Sequence, residues 1–256
     1  MEISGSIIVV TGAASGIGRA LAQAFSQAEA KHVICADVNF DGATETATRI
    51  GGTAHKCDVS LEPDIKSLID TVERECGPID LFCSNAGILV GGGPEVPNED
   101  WQRMWEINVM SHVWAARHLL PLMLERGTGY FLNTASAAGL LSQIGSAPYS
   151  LTKHSAVAFA EWLVITYGMR GIKASVLCPQ AVDTAMTAGI SDSSAHVDGV
   201  KSAEEVAQAC VDAIEKEAFL VLPHEQVEEY SIRRTTDKER WLKGMQKLNA
   251  LFEDSL

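Results

Sequence analysis

The segment that decides the fold of this 256-residue chain is Ile7-Ile8-Val9-Val10-Thr11-Gly12-Ala13-Ala14-Ser15-Gly16-Ile17-Gly18. Its first four residues form a β-branched run, which predicts a buried strand, and a helical pattern follows from Gly16 to Ala28. Glycines between a strand and a helix allow a tight turn and let backbone N–H groups approach an anion. The segment therefore predicts a phosphate-binding turn, with contacts from Gly12, Ser15, Gly16, Ile17 and Gly18.

Short apolar strands alternate with longer helical patterns along the rest of the chain. Strands are predicted at 7–10, 32–36, 53–57, 80–83, 130–134, 172–178 and 219–222, and helices at 16–28, 42–50, 62–75, 100–126, 148–167 and 202–215. This alternation is typical of βαβ units with a parallel sheet that is covered on both faces. We therefore predict an α/β fold: one Rossmann-like, doubly wound domain over residues 1–256, with a seven-stranded parallel sheet between two layers of helices.

Two stretches do not fit this alternation. Residues 184–200 are rich in Ala, Ser, Gly and Asp without periodicity, which predicts a mobile substrate loop. Residues 225–256 are charged and helical in pattern, and they are interpreted either as a surface helix or as an oligomer arm.

Composition and charge exclude several classes of function. The chain has 20 Lys and Arg against 33 Asp and Glu, a formal net charge of −13, which argues against nucleic acid and anionic membranes as partners. No apolar stretch approaches the roughly 20 residues that a membrane span needs, and no secretory signal is recognised at the start. Six cysteines without a Cys-x-x-Cys pair indicate reduced thiols, so we expect a cytoplasmic protein.

An acidic residue ends the second predicted strand. Asp37 lies nineteen residues after Gly18, where a carboxylate can accept hydrogen bonds from ribose hydroxyls. The same carboxylate would repel a 2′-phosphate, and neither Ser15 nor Val38 supplies a compensating cation. The sequence therefore predicts NAD as the cofactor; the competing interpretation of Asp37 is an ordinary turn carboxylate.

Tyr149 and Lys153 lie four residues apart in a helix that Pro148 opens, so both side chains share one helix face. A free tyrosine, with a pKa of about 10, is a poor base at neutral pH. A nearby ammonium group, together with the positive charge of an oxidised nicotinamide, would favour the phenolate. Tyr149 would then exchange a proton with an alcohol or a ketone, and Ser136 would hydrogen-bond the substrate oxygen. Taken alone, such a pair is also common on exposed helix faces.

The motifs of this chain and their order resemble those of the short-chain dehydrogenase/reductase family in its compact form. The resemblance covers the chain from about Ile7 to Leu222. The matching motifs are Thr11 to Gly18 as TGxxxGIG, Asp58-Val59, Asn85-Ala86-Gly87, Asn108, Ser136, Tyr149-x-x-x-Lys153 and Pro179. Several independent motifs at proper intervals carry more weight than any single one. The resemblance also implies a homotetramer or homodimer, built from the helices that contain Asn108 and Tyr149.

The resemblance implies a role for each matched residue. Asp58 and Val59 would border the adenine, and Asn85-Ala86-Gly87 would support the sheet beside the cofactor. Asn108 would break its helix and hold a water joined to Lys153, which would bind the nicotinamide ribose and lower the pKa of Tyr149. Thr184 would reach the nicotinamide carboxamide. The expected catalytic residues are Asn108, Ser136, Tyr149 and Lys153. The expected cofactor contacts are Gly12, Ser15, Gly16, Ile17, Gly18, Asp37, Val38, Asp58, Val59, Asn85, Ala86, Gly87, Tyr149, Lys153, Pro179, Val182 and Thr184.

The chain departs from the family pattern at Gln180, where a glycine is usual, and at Ser84, where asparagine is commoner. Gln180 would add a side chain beside the nicotinamide. The apolar stretches 89–90, 140–141 and 144 predict an apolar substrate pocket. The expected substrate contacts are Ser136, Gln143, Tyr149 and Gln180. We therefore expect an apolar or aromatic secondary alcohol or ketone as the substrate.

Other classes of function fit these motifs less well. The spacing of Gly12 to Gly18 and the four-residue step to Lys153 disfavour an epimerase, a dehydratase and an enoyl reductase. A non-catalytic dinucleotide-binding regulatory or structural subunit remains the alternative, because fold alone does not determine function. No metal site is expected, since His224 lacks a second histidine four residues later and His112 and His118 occupy different helix faces.

Overall fold

The computed structural model describes residues 1–187 and 194–252. Its strands are β1 (Ile7–Thr11), β2 (His32–Asp37), β3 (Thr53–Lys56), β4 (Leu81–Ser84), β5 (Gly129–Thr134), β6 (Ile172–Leu177) and β7 (Leu220–Val221). They form one seven-stranded sheet in the order β3-β2-β1-β4-β5-β6-β7, with every pair parallel. The predicted fold class is confirmed. The two edge strands, β3 and β7, are shorter than the sequence predicts. Edge strands pair on one side only and are often short in natural proteins.

The strand order reverses at the centre of the sheet. β1 pairs with β2 on one side and with β4 on the other, so the connections leaving these two strands run in opposite directions. In such sheets a crevice opens outside the carboxyl ends of the two strands, and ligands bind there. The glycine turn follows β1 and the segment 85–87 follows β4, so both predicted cofactor motifs lie at this crevice.

Helices cover both faces of the sheet. Their bounds are α1 (Gly16–Gln27), α2 (Phe40–Ile50), α3 (Glu62–Glu75), α4 (Asn98–Trp105), α5 (Ser111–Arg126), α6 (Ala138–Leu141), α7 (Ala147–Tyr167), α8 (Ala203–Glu215), α9 (Gln226–Thr236) and α10 (Lys238–Phe252). Side chains of β1 alternate between two apolar cores: Val10 packs with Phe25 of α1, and Val9 packs with Leu119 of α5. The sheet is therefore buried on both sides, as its unbroken apolar strands predict.

The predicted helix 100–126 is not continuous. It begins at Asn98 and contains a π-helical turn, Glu106–Met110, between α4 and α5. A π-turn inserts one extra residue into the helix and often marks a functional site. Asn108 lies in this turn and is fully buried, so its side chain points into the protein.

The carboxyl-terminal third differs most from the sequence interpretation. α8 begins with a capping box, in which the side chains of Ser202 and Glu205 bond each other's backbone N–H groups. α9 and α10 follow and pack back against the domain through Val227, Tyr230 and Trp241. Residues 188–193 of the expected substrate loop lie outside the described residues. Among the described residues, no helix is both long and apolar enough to span a bilayer.

Candidate active site

The turn after β1 has the geometry of an anion cradle. Gly12 and Gly16 adopt positive φ angles of +69° and +51°, a region that favours glycine. A Cβ atom on Gly18 would lie 2.1 Å from the carbonyl oxygen of Gly12, so no side chain fits there. α1 begins next to Ser15, whose side chain makes no capping hydrogen bond, and its first turn holds no acidic residue. The N–H groups at the start of α1 are therefore available to an anion, with support from the helix dipole.

All seventeen residues expected to contact the cofactor line a single cleft of about 410 Å³. Asp37 ends β2 at this cleft, and its carboxylate accepts hydrogen bonds from the N–H groups of Ala14 (2.9 Å) and Asn39 (2.8 Å). Asp58 follows β3 and accepts hydrogen bonds from the N–H (3.0 Å) and hydroxyl (2.7 Å) of Ser60. Hydrogen bonds from backbone N–H groups hold both carboxylates in place, and the bond from Ala14 keeps Asp37 beside the glycine turn.

The segment after β4 joins the two sides of the crevice. The side chain of Asn85 donates to the carbonyl oxygen of Thr11 (3.0 Å) and accepts from the hydroxyl of Thr134 (3.1 Å), so it connects three strand ends. Gly87 lies beside the buried polar groups of the site. A Cβ atom on it would be 3.2 Å from Oδ1 of Asn108 and 3.4 Å from Nζ of Lys153. The absence of a side chain at Gly87 therefore leaves room for both.

The four expected catalytic residues do converge. Tyr149 and Lys153 project from one face of α7, with the Lys153 Nζ atom 5.5 Å from the centre of the Tyr149 ring. Lys153 donates to the carbonyl oxygen of Thr134 at 2.9 Å, and Ser136 forms a hydrogen bond with Tyr149. Asn108 uses both amide protons, on the carbonyl oxygen of Ile88 and the hydroxyl of Thr152, so its side chain fixes the loop after β4. The expected water at Asn108 stays a prediction.

The electrostatics differ from the sequence expectation. Burial raises the pKa of Tyr149 to about 12, and the hydrogen bond with Ser136 opposes this only in part. Burial likewise lowers the pKa of Lys153 to about 8, because a low-dielectric site disfavours every charged form. The expected fall in the pKa of Tyr149 is therefore absent in the polypeptide alone. That expectation also counted the positive charge of an oxidised nicotinamide, which the chain itself does not supply.

A second cavity, of about 880 Å³, adjoins the cleft. Ser136, Tyr149 and Gln180 line both spaces, so a molecule in the cavity would meet the cofactor cleft at the hydroxyl groups of Ser136 and Tyr149. Leu89, Leu141 and Gln143 line the cavity as expected. Val90, Leu140 and Ile144 are not among the lining residues.

Gln180 is held by a network of its own. Its amide nitrogen donates to the Asp198 carboxylate (2.9 Å), which also accepts from the hydroxyl of Tyr230 in α9 (3.0 Å). The N–H of Gln180 donates to Nδ1 of the buried His224 (3.2 Å). The glutamine that replaces the usual glycine thus ties the end of β6 to the loop before α8 and to the carboxyl-terminal helices. His224 has a structural role here.

Comparison with known proteins agrees with this geometry. Residues 6–195 match the family described as short chain dehydrogenase. The chain belongs to that family. The 1-deoxy-11-beta-hydroxypentalenate dehydrogenase of Streptomyces exfoliatus is 37% identical over 229 residues, 86% of this chain and 83% of the relative. Epidermal retinol dehydrogenase 2 of Mus musculus is 30% identical over 233 residues, 87% of this chain and 75% of the relative.

A solved structure supports the fold of this short chain dehydrogenase over almost its whole length. The crystal structure of a short chain dehydrogenase/reductase from Burkholderia phymatum, in complex with NAD, superposes with a TM-score of 0.84 at 27% sequence identity. The match covers 93% of this chain and 96% of the other.

Sequence reasoning missed one wall of the second cavity of this short chain dehydrogenase. The segment 225–256 was interpreted as a surface helix or an oligomer arm, yet α9 and α10 border the cavity through Tyr230, Trp241, Met245 and Leu248. The spacing of Trp241, Met245 and Leu248 is that of one helix face in a charged helix, a pattern that could have identified a packed face. What that face packs against is visible only in the fold.

Proposed function

We propose that this protein is an NAD-dependent oxidoreductase that transfers a hydride between a secondary alcohol, or the corresponding ketone, and NAD, with Tyr149 as general acid/base. The observation that carries the proposal is the position of Ser136 and Tyr149 on the wall shared by the cleft and the cavity. There an oxygen in the cavity would meet a proton donor or acceptor beside the cofactor. The family membership and the names of the two dehydrogenase relatives support a hydroxyl-bearing substrate.

The residues present fit NAD. The cradle at Gly18 leaves no space for a Cβ atom, and the exposed N–H groups at the start of α1 suit a pyrophosphate. Asp37 suits unmodified ribose hydroxyls and would repel a 2′-phosphate. When bound, the nicotinamide ring accepts or supplies the hydride.

In this proposal each polar residue has one task. Tyr149 accepts the hydroxyl proton of the alcohol during oxidation and returns it to the carbonyl oxygen during reduction. Ser136 donates a hydrogen bond to the same oxygen and keeps it within reach of Tyr149. Lys153, anchored on Thr134, binds the nicotinamide ribose and places its positive charge near the Tyr149 ring. That charge, added to the charge of the oxidised cofactor, would offset the effect of burial on the pKa of Tyr149.

The cavity supports a large apolar or aromatic substrate. Its walls are mostly apolar, with Leu89, Leu141, Trp241 and Leu248 around the polar groups of the shared wall. A volume of about 880 Å³ falls in the upper part of the range for small-molecule sites. Within this proposal Gln143 and Gln180 are the polar contacts that orient the substrate.

Exposed apolar side chains on α7 support a homotetramer or homodimer, and the free cysteines support a location in the cytoplasm. α7 exposes Leu151, Trp162 and Ile165, and Met169 follows directly after it. Exposed apolar side chains along one helix are typical of a contact between subunits. The six cysteines are all free thiols, as expected in a reducing compartment, and the net charge of −13 argues against nucleic acid and membrane partners.

The test is an assay of the purified protein with NAD and a panel of secondary alcohols that spans small and bulky apolar skeletons. Tyr149→Phe should lower kcat by about 10²- to 10⁴-fold, the usual contribution of acid–base catalysis, and the variant should still bind NAD. Tyr167→Phe, at the other end of the same helix, is the matched control and should keep full activity. Full activity of Tyr149→Phe would refute the mechanism. NAD binding without turnover of any alcohol would favour the non-catalytic alternative.

A further inference from the structure

The second cavity, which adjoins the cofactor cleft, has charged groups on its mostly apolar walls. Among the described residues four charged side chains line it: Asp198 from the loop before α8, and Arg233, Asp237 and Arg240 from the segment that runs from α9 into α10. Charged groups at a pocket orient a ligand and give specificity, unless they are already paired within the protein. The internal contacts of these four residues therefore indicate what the cavity can recognise.

Both carboxylates on the cavity wall are engaged within the protein. Asp198 accepts hydrogen bonds from the side chains of Gln180 (2.9 Å) and Tyr230 (3.0 Å). Asp237 accepts a hydrogen bond from the backbone N–H of Arg240 (3.0 Å), so it caps the first turn of α10. Each carboxylate thus has a structural task at the place where it borders the cavity.

The two arginines on the wall differ in their contacts. Arg233 forms an ion pair with Glu229, one turn earlier in α9, and its guanidinium group lies 5.8 Å from the centre of the Tyr230 ring. The guanidinium group of Arg240 has neither a hydrogen bond nor an ion pair among the described residues. Arg240 is therefore the charged group of this cavity that a ligand can engage without breaking an internal contact.

The helical period places Arg240 on the cavity. The face of α10 that lines the cavity consists of Arg240, Trp241, Gly244, Met245 and Leu248, which recur at intervals of three and four residues. The described lysines of the same helix are exposed and do not line the cavity: Lys238, Lys243 and Lys247. One cation thus lies on an otherwise apolar helix face that borders the cavity.

The charge of the surrounding segment has the opposite sign to that of the whole chain. From Arg233 to Phe252 the sequence has six basic residues and two acidic ones, although the formal net charge of the chain is −13. A local excess of positive charge beside a pocket raises the concentration of anions there. The α9–α10 side of the cavity therefore favours the approach of an anionic ligand.

We propose that the substrate is a hydroxy acid or the corresponding keto acid with a bulky apolar skeleton, and that its carboxylate pairs with Arg240 while its reacting oxygen meets Ser136 and Tyr149. Arg240 is then a specificity-determining residue. This inference rests on the proposed function, because it names the substrate class of the same site.

A carboxylate suits this position better than a phosphate. The planar guanidinium group can bind a carboxylate through two parallel hydrogen bonds, and it balances the single negative charge. A phosphate monoester carries up to two charges, and the carboxylates of Asp198 and Asp237 on the same cavity would repel the second one. Because Arg240 is exposed, its pairing with a carboxylate is partly screened by solvent, and the effect should be a preference among substrates.

The test compares matched substrates in an assay with NAD. The panel contains bulky alicyclic hydroxy acids with different separations between hydroxyl and carboxylate, each paired with its methyl ester, which removes the charge. For at least one pair, the wild-type protein should oxidise the acid with a kcat/KM at least about tenfold above that of the ester, mainly through a lower KM. Added salt should reduce this ratio, because it screens an exposed ion pair. Equal or lower values for the acid in every pair would overturn the proposal.

Variants of α10 identify the group that recognises the acid. Arg240→Gln should raise the KM of the preferred acid about tenfold and leave the KM values of its ester and of NAD within about twofold. Arg240→Lys should keep part of the preference, since lysine retains the charge but lacks the planar fork. Lys243→Gln removes one positive charge from the same helix at an exposed position away from the cavity, and it should keep the wild-type ratio. An acid preference that persists in Arg240→Gln, or an equal loss in Lys243→Gln, would refute the pairing with Arg240.

Binding measurements separate this inference from the proposed function. If the wild-type protein oxidises no alcohol, the proposed function fails, and calorimetric titration with the same acids and esters in the presence of NAD still tests the carboxylate site. An affinity for one acid about tenfold above that of its ester, lost in Arg240→Gln, would support the site by itself. No such preference in any pair would overturn it. If the esters are oxidised as well as the acids, the proposed function stands and the assignment of Arg240 fails alone.

Discussion

The cofactor cleft and the adjoining cavity share a wall but are built in different ways. The cleft is lined mainly by short motifs at the carboxyl ends of the strands, together with Tyr149 and Lys153 of α7, and the backbone around Gly18 is tightly packed. The cavity combines single residues, among them Leu89, Gln143, Asp198 and Trp241, which belong to no common motif and come from unrelated elements. A site made of contiguous motifs can be recognised in a sequence, whereas a site assembled by folding cannot. The two regions should therefore also respond differently to substitution.

The largest effect is expected in the cleft, from Gly18→Ala. The added Cβ atom would lie 2.1 Å from the carbonyl oxygen of Gly12 and 2.7 Å from Nδ2 of Asn85, so the backbone has to shift. Overpacking of this kind costs about 1–3 kcal/mol of stability. It would also displace the N–H groups that meet the pyrophosphate, and we expect NAD affinity to fall at least about 100-fold. Calorimetric titration with NAD and urea unfolding measure the two effects. Wild-type NAD affinity in this variant would refute the cradle.

The next largest effect is expected from Asp37→Asn, which should change the preference between NAD and NADP without affecting the cavity. Asp37→Asn keeps the size of the side chain and removes its charge, so the repulsion of a 2′-phosphate disappears. Hydrogen bonds to a charged group contribute about 1.5–3 kcal/mol, which corresponds to a loss in NAD affinity of about 10- to 100-fold, while NADP should bind better than before. The ratio of kcat/KM for the two cofactors measures the change, with alcohol KM unaffected. Asp41→Asn, in the exposed first turn of α2, is the control. If Asp37→Asn keeps the wild-type preference for NAD over NADP, Asp37 does not select the cofactor and is only an ordinary turn carboxylate.

The contrast explains what could be predicted from the sequence. The alternation of strands and helices predicts the parallel sheet, because the spacing of apolar residues along a strand or a helix shows which of its faces are buried. The glycine turn and Asp37 could be named from the residues alone, since each follows a strand whose carboxyl end must lie at one edge of the sheet. The cleft residues after β3, β4 and β6 could be named only through the family resemblance. Ser136 could be named because it follows a strand, and Tyr149 and Lys153 because their four-residue spacing puts both side chains on one helix face.

Three features required the structure. The packing partner of α9 and α10 depends on the path of the whole chain, and the face that carries Trp241 does not specify it. The raised pKa of Tyr149 is due to burial, and burial cannot be inferred from the spacing between Tyr149 and Lys153 in the sequence. The network from Gln180 to Tyr230 joins residues 50 positions apart through Asp198. Each of these features depends on how segments that are remote in sequence pack against one another, which only the folded structure shows.

A cavity variant should have a smaller effect, confined to the substrate. Trp241 of α10 lines the cavity and packs near Tyr230, with ring centres 6.4 Å apart. Trp241→Ala removes apolar surface that would contact a bulky alcohol, and we expect its KM to rise about tenfold, the equivalent of about 1.4 kcal/mol. Steady-state kinetics should show unchanged KM for NAD and for a small alcohol that does not reach α10. Leu242→Ala, exposed on the same helix, is the control. An equal effect on NAD would contradict the separation of the two regions.

The smallest effect compares one glycine in each region. Gly244 lies inside α10, and a Cβ atom placed on it would have no neighbour within 4 Å, in contrast to Gly18. Alanine is favoured over glycine in a helix interior by about 1 kcal/mol, so Gly244→Ala should stabilise the protein and raise Tm by about 2–4 °C. NAD affinity should stay at the wild-type value. The same substitution thus lowers stability where the backbone is closely packed around a ligand site and raises it where a helix merely borders a cavity. A loss of stability in Gly244→Ala would mean that α10 packs as tightly as the cleft, and the distinction between the two regions would fail.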